Sequence, residues 1–420
     1  MLTHSFFRKA LCLMGALCLA HVVPAGEMPV VAPESAGISP AKLGKVDGII
    51  DELRQQKKLA GVTVMIARHG KVVFFKSFGK MDLEADKPLR NDTIFRIYSM
   101  SKAITTAAAL TLYDEGKLGL DEPVSKYVPD FKGIKVWNAA GNIAPTREPT
   151  IRDLMRHTAG LTYGIFGDSP VDKLYREANV LNRNEDLKDM CAKLGKLPLQ
   201  YDPGTKWVYS VAVDVLGRVI EVASGMTFDA FLEKRLFAPL DMRDTGFYVP
   251  GDKLDRFAAI YRSDGNGALT PAENRSASPY LAKPKLLSGG GGMVSTTRDY
   301  MRFLQMIAQG GEFQGVRILK LETVALMTHN QLPAEVMPIS MSIGKRQGVG
   351  FGLGFSVRVQ PSDQEASGRV AEYGWGGMAS THYWTSPKDD LVVVTMEQTL
   401  PFSLLLETAV KGPIYDAISN

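Results

Sequence analysis

The chain has 420 residues, 45% hydrophobic and 22% charged, the balance of a globular protein with enough chain for two or three lobes around a large core. Its formal net charge is +4 without a basic block, so composition makes no case for a nucleic-acid partner. Three cysteines, two of them (Cys12 and Cys18) near the N-terminus, exclude a disulfide-built scaffold.

In chain order, Arg8 and Lys9 precede an apolar run over 10–20 that is too short to span a membrane. Small residues mark cleavage after Ala20 or Ala25. Residues 1–25 therefore read as a signal peptide and the protein as exported, periplasmic or secreted, with no membrane span after cleavage. Cys12 and Cys18 would leave with it, and Cys191 alone would remain. A Pro-rich linker over 27–37 leads to an amphipathic helix over 39–55, with Leu43, Val46, Ile49, Ile50 and Leu53 at helical spacing and Ser39-Pro40 at its start. Apolar runs over 61–67 and 72–78 flank His69-Gly70 and predict a β-hairpin. The middle of the chain is mainly helical with long loops. Thr150 opens a helix ending near His157, Thr227 opens one through Phe231, and Thr296 or Thr297 opens one over 299–308 that stops at Gly310-Gly311. Strands return over 351–359, 370–373, 379–385 and 391–397, with a hairpin turn over 387–390. A closing helix spans 404–418, with Pro413 a kink or early stop. The pattern predicts an α+β fold: an antiparallel sheet domain from 28–95 and 346–420 flanked by the terminal helices, and a mainly helical domain over 96–345.

Residues 97–113 form a helix that is apolar nearly all round, followed by Gly116, so it reads as buried. Lys102 is its only charge, and a lone ammonium there is costly unless it is paired or loses its proton. Ser99 lies one turn earlier on the same face, at the helix start, where free N–H groups favour negative charge. A hydroxyl beside an amine that can be neutral is a nucleophile with its base. Ser-x-x-Lys is a weak pattern, however, and Ser39-Pro40-Ala41-Lys42 is a second copy in a polar setting, where Ser39 serves as a helix cap. Two further stretches bear on the choice. Tyr209 sits where the loop over 203–210 enters a helix over 211–223, so its phenol can project into a cleft. Trp375-Gly376-Gly377 precedes the strand predicted from 379, and its glycines let backbone approach a ligand closely.

With these three stretches in order, the chain resembles the serine β-lactamase and penicillin-binding-protein superfamily, and within it the family VIII carboxylesterases related to class C β-lactamases. Ser99-Met100-Ser101-Lys102 matches the Ser-x-x-Lys motif, Tyr209-Ser210-Val211 falls where the family has Tyr-x-Asn, and Trp375-Gly376-Gly377 falls where β-lactamases have Lys-Thr-Gly and esterases often have Trp-Gly-Gly. The stretches around His157 to Leu161 and Gly289 to Met293 also look like family landmarks with structural roles. The resemblance implies Ser99 as nucleophile, Lys102 as base, Tyr209 as proton relay, and the backbone N–H groups of Ser99 and Met378 as oxyanion hole. Substrate would lie against Trp375, Gly376, Gly377 and Val211. Val211 and Trp375 replace an amide and a cation that would anchor a β-lactam, so the expectation shifts to neutral, short-chain carboxylic esters as the small-molecule partner, with no cofactor.

Competing readings remain open. No Gly-x-Ser-x-Gly elbow is present, and outside the signal segment the histidines are His69, His157, His329 and His382, of which His382 is placed to line a cleft. Metal motifs are absent, and Gly289 to Gly292 lack the ending of a phosphate loop. Asp214 and Glu372 read as a helix first turn and a strand edge. A β-lactamase, a D-alanyl-D-alanine carboxypeptidase, an acyltransferase and a non-catalytic binding protein are the alternatives to an esterase.

Overall fold

The computed structural model describes residues 25–341, 344–365 and 367–419. The signal-peptide assignment, apart from Ala25, lies outside the described residues. Among those described, no helix is long and apolar enough to cross a membrane.

Ser39 caps the first helical turn, Pro40–Leu43, by accepting the Lys42 N–H. Gly44, a poor helix former, separates that turn from α1, Lys45–Gln55, so the helix predicted over 39–55 is two pieces. The predicted hairpin is β1, Gly61–Arg68, and β2, Lys71–Asp82, joined by His69 and Gly70 at φ of +51° and +71°. That left-handed pair matches the twist of the strands. The short β3, Lys87–Pro88, borders β2. Three helices that matter for the site follow: α2, Ser101–Asp114; α3, Ala212–Ser224; and α4, Thr297–Ala308. Helix α2 is buried from Ser101 through Leu112 and packs on α3, as its all-round apolar sequence requires. Thr296 supplies the α4 cap by accepting the Asp299 N–H.

The returning strands differ from expectation in two places. The run predicted as one strand over 351–359 is a hairpin of β4, Val349–Phe351, and β5, Ser356–Arg358, because Gly354 turns the chain at φ +88°. The strand predicted over 370–373 lies instead at β6, Tyr373–Gly377, with Ala371 at φ +70° holding the residues before it in a turn. Trp375-Gly376-Gly377 is thus inside a strand. A three-residue turn with Ser380 at φ +63° leads to β7, Thr381–Ser386, and then β8, Leu391–Met396. The closing helix α5, Leu405–Asp416, runs through Pro413 without stopping there.

Strands from both ends of the chain share one antiparallel sheet in the order β4-β5-β6-β7-β8-β1-β2-β3. Both faces are covered, which is why β1 and β8 read as continuous apolar runs. Helices α1 and α5 pack on Val62, Val64, Ile66, Trp384, Leu391 and Val393. On the other face α4 packs against β8 and β1, where Met65, Ala67, Val392 and Val394 join the large core shared with the helical lobe. Helix α4, which falls within 96–345, thus packs directly on the sheet. Its apolar stripe matches a sheet face that would otherwise be bare.

At the end of β8 the carboxyl of Glu397 is 3% exposed. Burial pushes it up from 4.5 to about 7, against the pull of His382 and the hydrogen bond donated by Thr399. The folded state therefore keeps a proton that the unfolded chain releases above its ordinary value. The associated stability is present below that value and is lost as pH rises through the folded one. Thermal scans should show the wild type losing several degrees of Tm between pH 5 and pH 8 relative to Glu397→Gln. Parallel profiles would show that Glu397 does not titrate in this way.

Candidate active site

Burying Lys102 at 1% exposure in an apolar helix demands oxygen partners, and three are supplied. Its Nζ lies 2.6 Å from the Gly290 carbonyl, 2.8 Å from the Tyr163 hydroxyl and 3.3 Å from Ser99 Oγ. The first two fix the nitrogen, and the third direction faces Ser99. Ser99 occupies a single 3-10 turn, Tyr98–Met100, directly before α2. Tyr98 holds φ +39°, uncommon for a residue with a side chain, at the point where strand gives way to helix. From the opposite side the Tyr209 hydroxyl donates to Ser99 Oγ at 2.6 Å. Lys102 Nζ also sits 4.5 Å from the centre of the Tyr209 ring. Trp375 Nε1 donates to the Tyr209 oxygen at 3.3 Å. Ser99 and Lys102, one turn apart, are thus both in contact with Tyr209, which is far from them in sequence.

The support beneath them was not foreseen. Asp214 is fully buried in the first turn of α3, accepting the Gly290 N–H at 3.0 Å and the Ser288 hydroxyl. Burial pushes its carboxyl up, opposed by Lys102. Burial also pushes the Tyr163 phenol well up, reinforced by Asp214 and Tyr209. Gly290 has no room for a side chain: a Cβ would fall 2.3 Å from Asp214 Oδ2 and 2.9 Å from the Tyr163 oxygen. The glycine run is the structural turn it resembles, and its carbonyl is also a ligand of the lysine amine. His157 packs its ring 5.0 Å from that of Tyr209 and places Nδ1 3.3 Å from Ser210 Oγ. Burial, then the Lys102 charge, holds this imidazole well below its usual range.

A cavity of about 430 Å³ opens onto Ser99, Tyr209, Phe166, Trp375 and the Gly376-Gly377-Met378 turn. The end of β6 is pressed against the Ser99 turn: a Cβ on Gly377 would fall 2.3 Å from Thr381 Oγ1 and 2.5 Å from the Ile97 carbonyl. Ser99 and Met378 line the same cleft.

With the geometry in hand, known proteins can be compared. The Beta-lactamase family model matches residues 46–407. The chain belongs to the Beta-lactamase family. It is 31% identical to Esterase EstB of Burkholderia gladioli over 376 residues, covering 84% of this chain and 89% of that one. It is 29% identical to ML-236A carboxylate methylbutanoyltransferase mlcH of Penicillium citrinum over 321 residues, covering 73% and 74%. Among solved structures, EstCE1, described as a hydrolase with promiscuous acyltransferase activity, superposes with a TM-score of 0.77 at 28% identity, covering 89% of this chain and 99% of that one. The fold is the β-lactamase/transpeptidase type, and the chain is placed in the serine β-lactamase and penicillin-binding-protein superfamily, with esterase and acyltransferase relatives.

Within this Beta-lactamase family member, Trp375, Gly376 and Gly377 line the cleft as expected. Val211 does not. Its side chain is fully buried in the core at the start of α3 and makes no part of the cleft wall. A chain entering a helix must bury one face, and Val211 is on that face, so it cannot hold substrate. His382 lines the cavity, and His157 acts on Tyr209 through its ring. Glu372 stands directly before β6, at the strand edge, and is buried and paired with Lys411. Asp214 lies in a helix first turn, as read from the sequence, but its role beside Gly290 was not read, and Tyr163 carried too little local signal to be found. Only the oxygen partners a buried lysine must have could have prompted a search for them.

Gly377→Ala should force β6 away from the Ser99 turn while leaving the rest of the sheet intact. A shift of this kind costs on the order of a hundredfold in rate. We expect kcat/KM to fall by that order with a Tm change of only a few degrees. Wild-type kinetics in the variant would show that the contact does not position the site.

Proposed function

We propose that this protein is a serine carboxylesterase that works through an acyl-enzyme. One observation carries the reading: Ser99 Oγ sits between the Tyr209 hydroxyl at 2.6 Å and the Lys102 amine at 3.3 Å, on the floor of an aromatic-walled cleft. Ser99 Oγ attacks the ester carbonyl carbon, and its proton passes to Lys102 Nζ, whose other two contacts are already taken by oxygen. The tetrahedral oxyanion lies between the backbone N–H groups of Ser99 and Met378. As the carbon–oxygen bond to the alcohol breaks, the proton returns through the Tyr209 phenol to the leaving oxygen. Water then attacks the acyl-enzyme by the same steps in reverse, giving the acid and free Ser99.

Trp375 supports esters over β-lactams. It stands on β6 where a cationic side chain would hold a β-lactam carboxylate close to the serine, and it presents an indole there instead. Val211, being buried, offers no polar anchor either. Acyl transfer to an alcohol is the second reading, favoured by the methylbutanoyltransferase of Penicillium citrinum and by the acyltransferase side activity in the description of EstCE1. Both outcomes share the acyl-enzyme and differ only in the acceptor. The Arg8-Lys9 and apolar 10–20 pattern supports export as the setting.

A p-nitrophenyl butyrate assay beside a nitrocefin assay tests the assignment. We expect the ester to be turned over and nitrocefin to be slow or untouched, and fast nitrocefin turnover would reverse the order. Ser99→Ala should abolish turnover and fluorophosphonate labelling with the fold retained. Lys102→Ala and Tyr209→Phe should each cost on the order of a thousandfold in kcat, with the double variant little worse than either, because the groups act as one unit. A folded Ser99→Ala variant with wild-type rates would sink the mechanism.

A further inference from the structure

Strand β6 is bulky on one face and empty on the other. Tyr373 and Trp375 point toward the helical lobe, while Gly374 and Gly376 face α5. Their partners across the ladder, Trp384 and His382 on β7 and Ser356 on β5, share that second face. Gly374 and Gly376 line a space that extends beneath α5, with neighbours too close for a Cβ at either position. The cavity that starts at Ser99 continues into it, reaching Arg346, Arg358, Glu365, Glu372, Glu407 and Lys411. The helical lobe contributes none of these six.

Their charges divide into two groups. Lys411 Nζ bonds Glu372 at 2.5 Å and Glu407 at 3.0 Å. Glu372 also accepts the Tyr415 hydroxyl, and Glu407 lies 3.1 Å from His382 Nδ1, so both carboxylates are fully engaged. The other group is short of an anion. Arg346 binds Glu365 through two hydrogen bonds of 2.8 and 2.9 Å, and Arg358 uses Nη2 on the same carboxylate. Two guanidiniums share one carboxylate, and Arg262 adds a further cation to the cavity wall. Arg358 is 3% exposed, yet its Nε and Nη1 have no hydrogen-bond partner among the described residues. The Gly368 backbone covers the Nε edge, since a Cβ there would fall 2.4 Å from Nε. Nη1 is left as a buried, charged donor of a side chain that lines the cavity. Such a donor is costly unless an acceptor reaches it.

We propose that this chamber binds a carboxylate carried by the substrate, so that the preferred esters bear an ionised carboxyl away from the scissile bond. The inference deepens the esterase reading and rests on it, and it replaces the expectation of a neutral substrate. The glycines at 374 and 376 make the passage, and Arg358, backed by Arg346, supplies the recognition.

Two measurements on the full chain test it. Calorimetric titration with adipate and suberate should show binding to the wild type. Affinity should weaken at least about tenfold in Arg358→Met and strengthen in Glu365→Gln, which frees both guanidiniums, while 1,6-hexanediol should not bind. In kinetics, mono-p-nitrophenyl adipate and suberate should exceed p-nitrophenyl hexanoate and octanoate by about tenfold or more in kcat/KM, a ratio that Arg358→Met brings close to one. The opposite effect of Glu365→Gln decides the matter should Arg358→Met fail to fold. Ester turnover without dicarboxylate binding, and with a ratio near one, would overturn the chamber alone. Dicarboxylate binding without turnover of any ester would overturn the esterase reading and leave the chamber standing.

Discussion

The constraint on which the site depends is the burial of one amine. Lys102 sits in a helix whose other residues are there to fill a core, and a nitrogen in that position has to be given oxygen partners. The Gly290 carbonyl, the Tyr163 phenol and Ser99 Oγ meet that need from three separate parts of the chain. Each of these is fixed in turn. Gly290 is held by Asp214, the Ser99 turn by the end of β6, and Tyr209 by a surround of His157, Trp207 and Trp375 rings. Relieving the lysine's desolvation and positioning the nucleophile are therefore the same act. The partners that make the burial tolerable are also those that leave one direction of the amine facing the serine.

What could be read from sequence follows from how local each signal is. The terminal helices, the β1–β2 hairpin and the shared sheet were legible because apolar periodicity and a two-residue turn are local. The lysine in an all-apolar helix was legible because it broke a local rule. Strand ends were misplaced where a single residue decides: Gly354 splits one predicted strand, and Ala371 in a left-handed conformation delays another. The role of α4 was missed because its amphipathic stripe shows that it packs without showing on what. Val211 was misassigned because motif position gives proximity along the chain and not the direction of a side chain. Tyr163 and Asp214 show nothing in their neighbourhoods, and only the three-dimensional demand of Lys102 makes sense of them.

The glycines of β6 answer to three different causes, which a motif reading merges into one. Gly377 exists because the strand end touches the Ile97 carbonyl and Thr381. Gly376 faces Phe402 and His382, where a Cβ would fall 2.9 and 3.0 Å from their rings. Gly374 sits over Trp384 and the Tyr383 carbonyl. The first brings the strand end against the Ser99 turn, and the other two let neighbouring groups approach the opposite face closely. Trp375 between them projects to the serine side and bonds Tyr209. A five-residue strand thus forms a wall of the reaction site on one face and the roof of a second space on the other.

This separates chemistry from selection in a physical sense. The proposed reacting groups, Ser99, Lys102 and Tyr209, with their props Tyr163, Asp214 and Gly290, all come from the helical lobe and the turn that enters it. The sheet domain contributes Trp375, the glycine passage and the ionised residues beneath α5. The contacts from that side to the serine turn and to Tyr209 run through the end of β6, the Trp375 indole and Phe351 against His157 and Trp207. A fold arranged in this way can keep one acyl-enzyme chemistry while its acyl groups and acceptors diverge. Relatives described as an esterase and as an acyltransferase on the same scaffold are what such an arrangement permits. The strand end is a place where the two are joined at the site, so a change there alters rate and selection together.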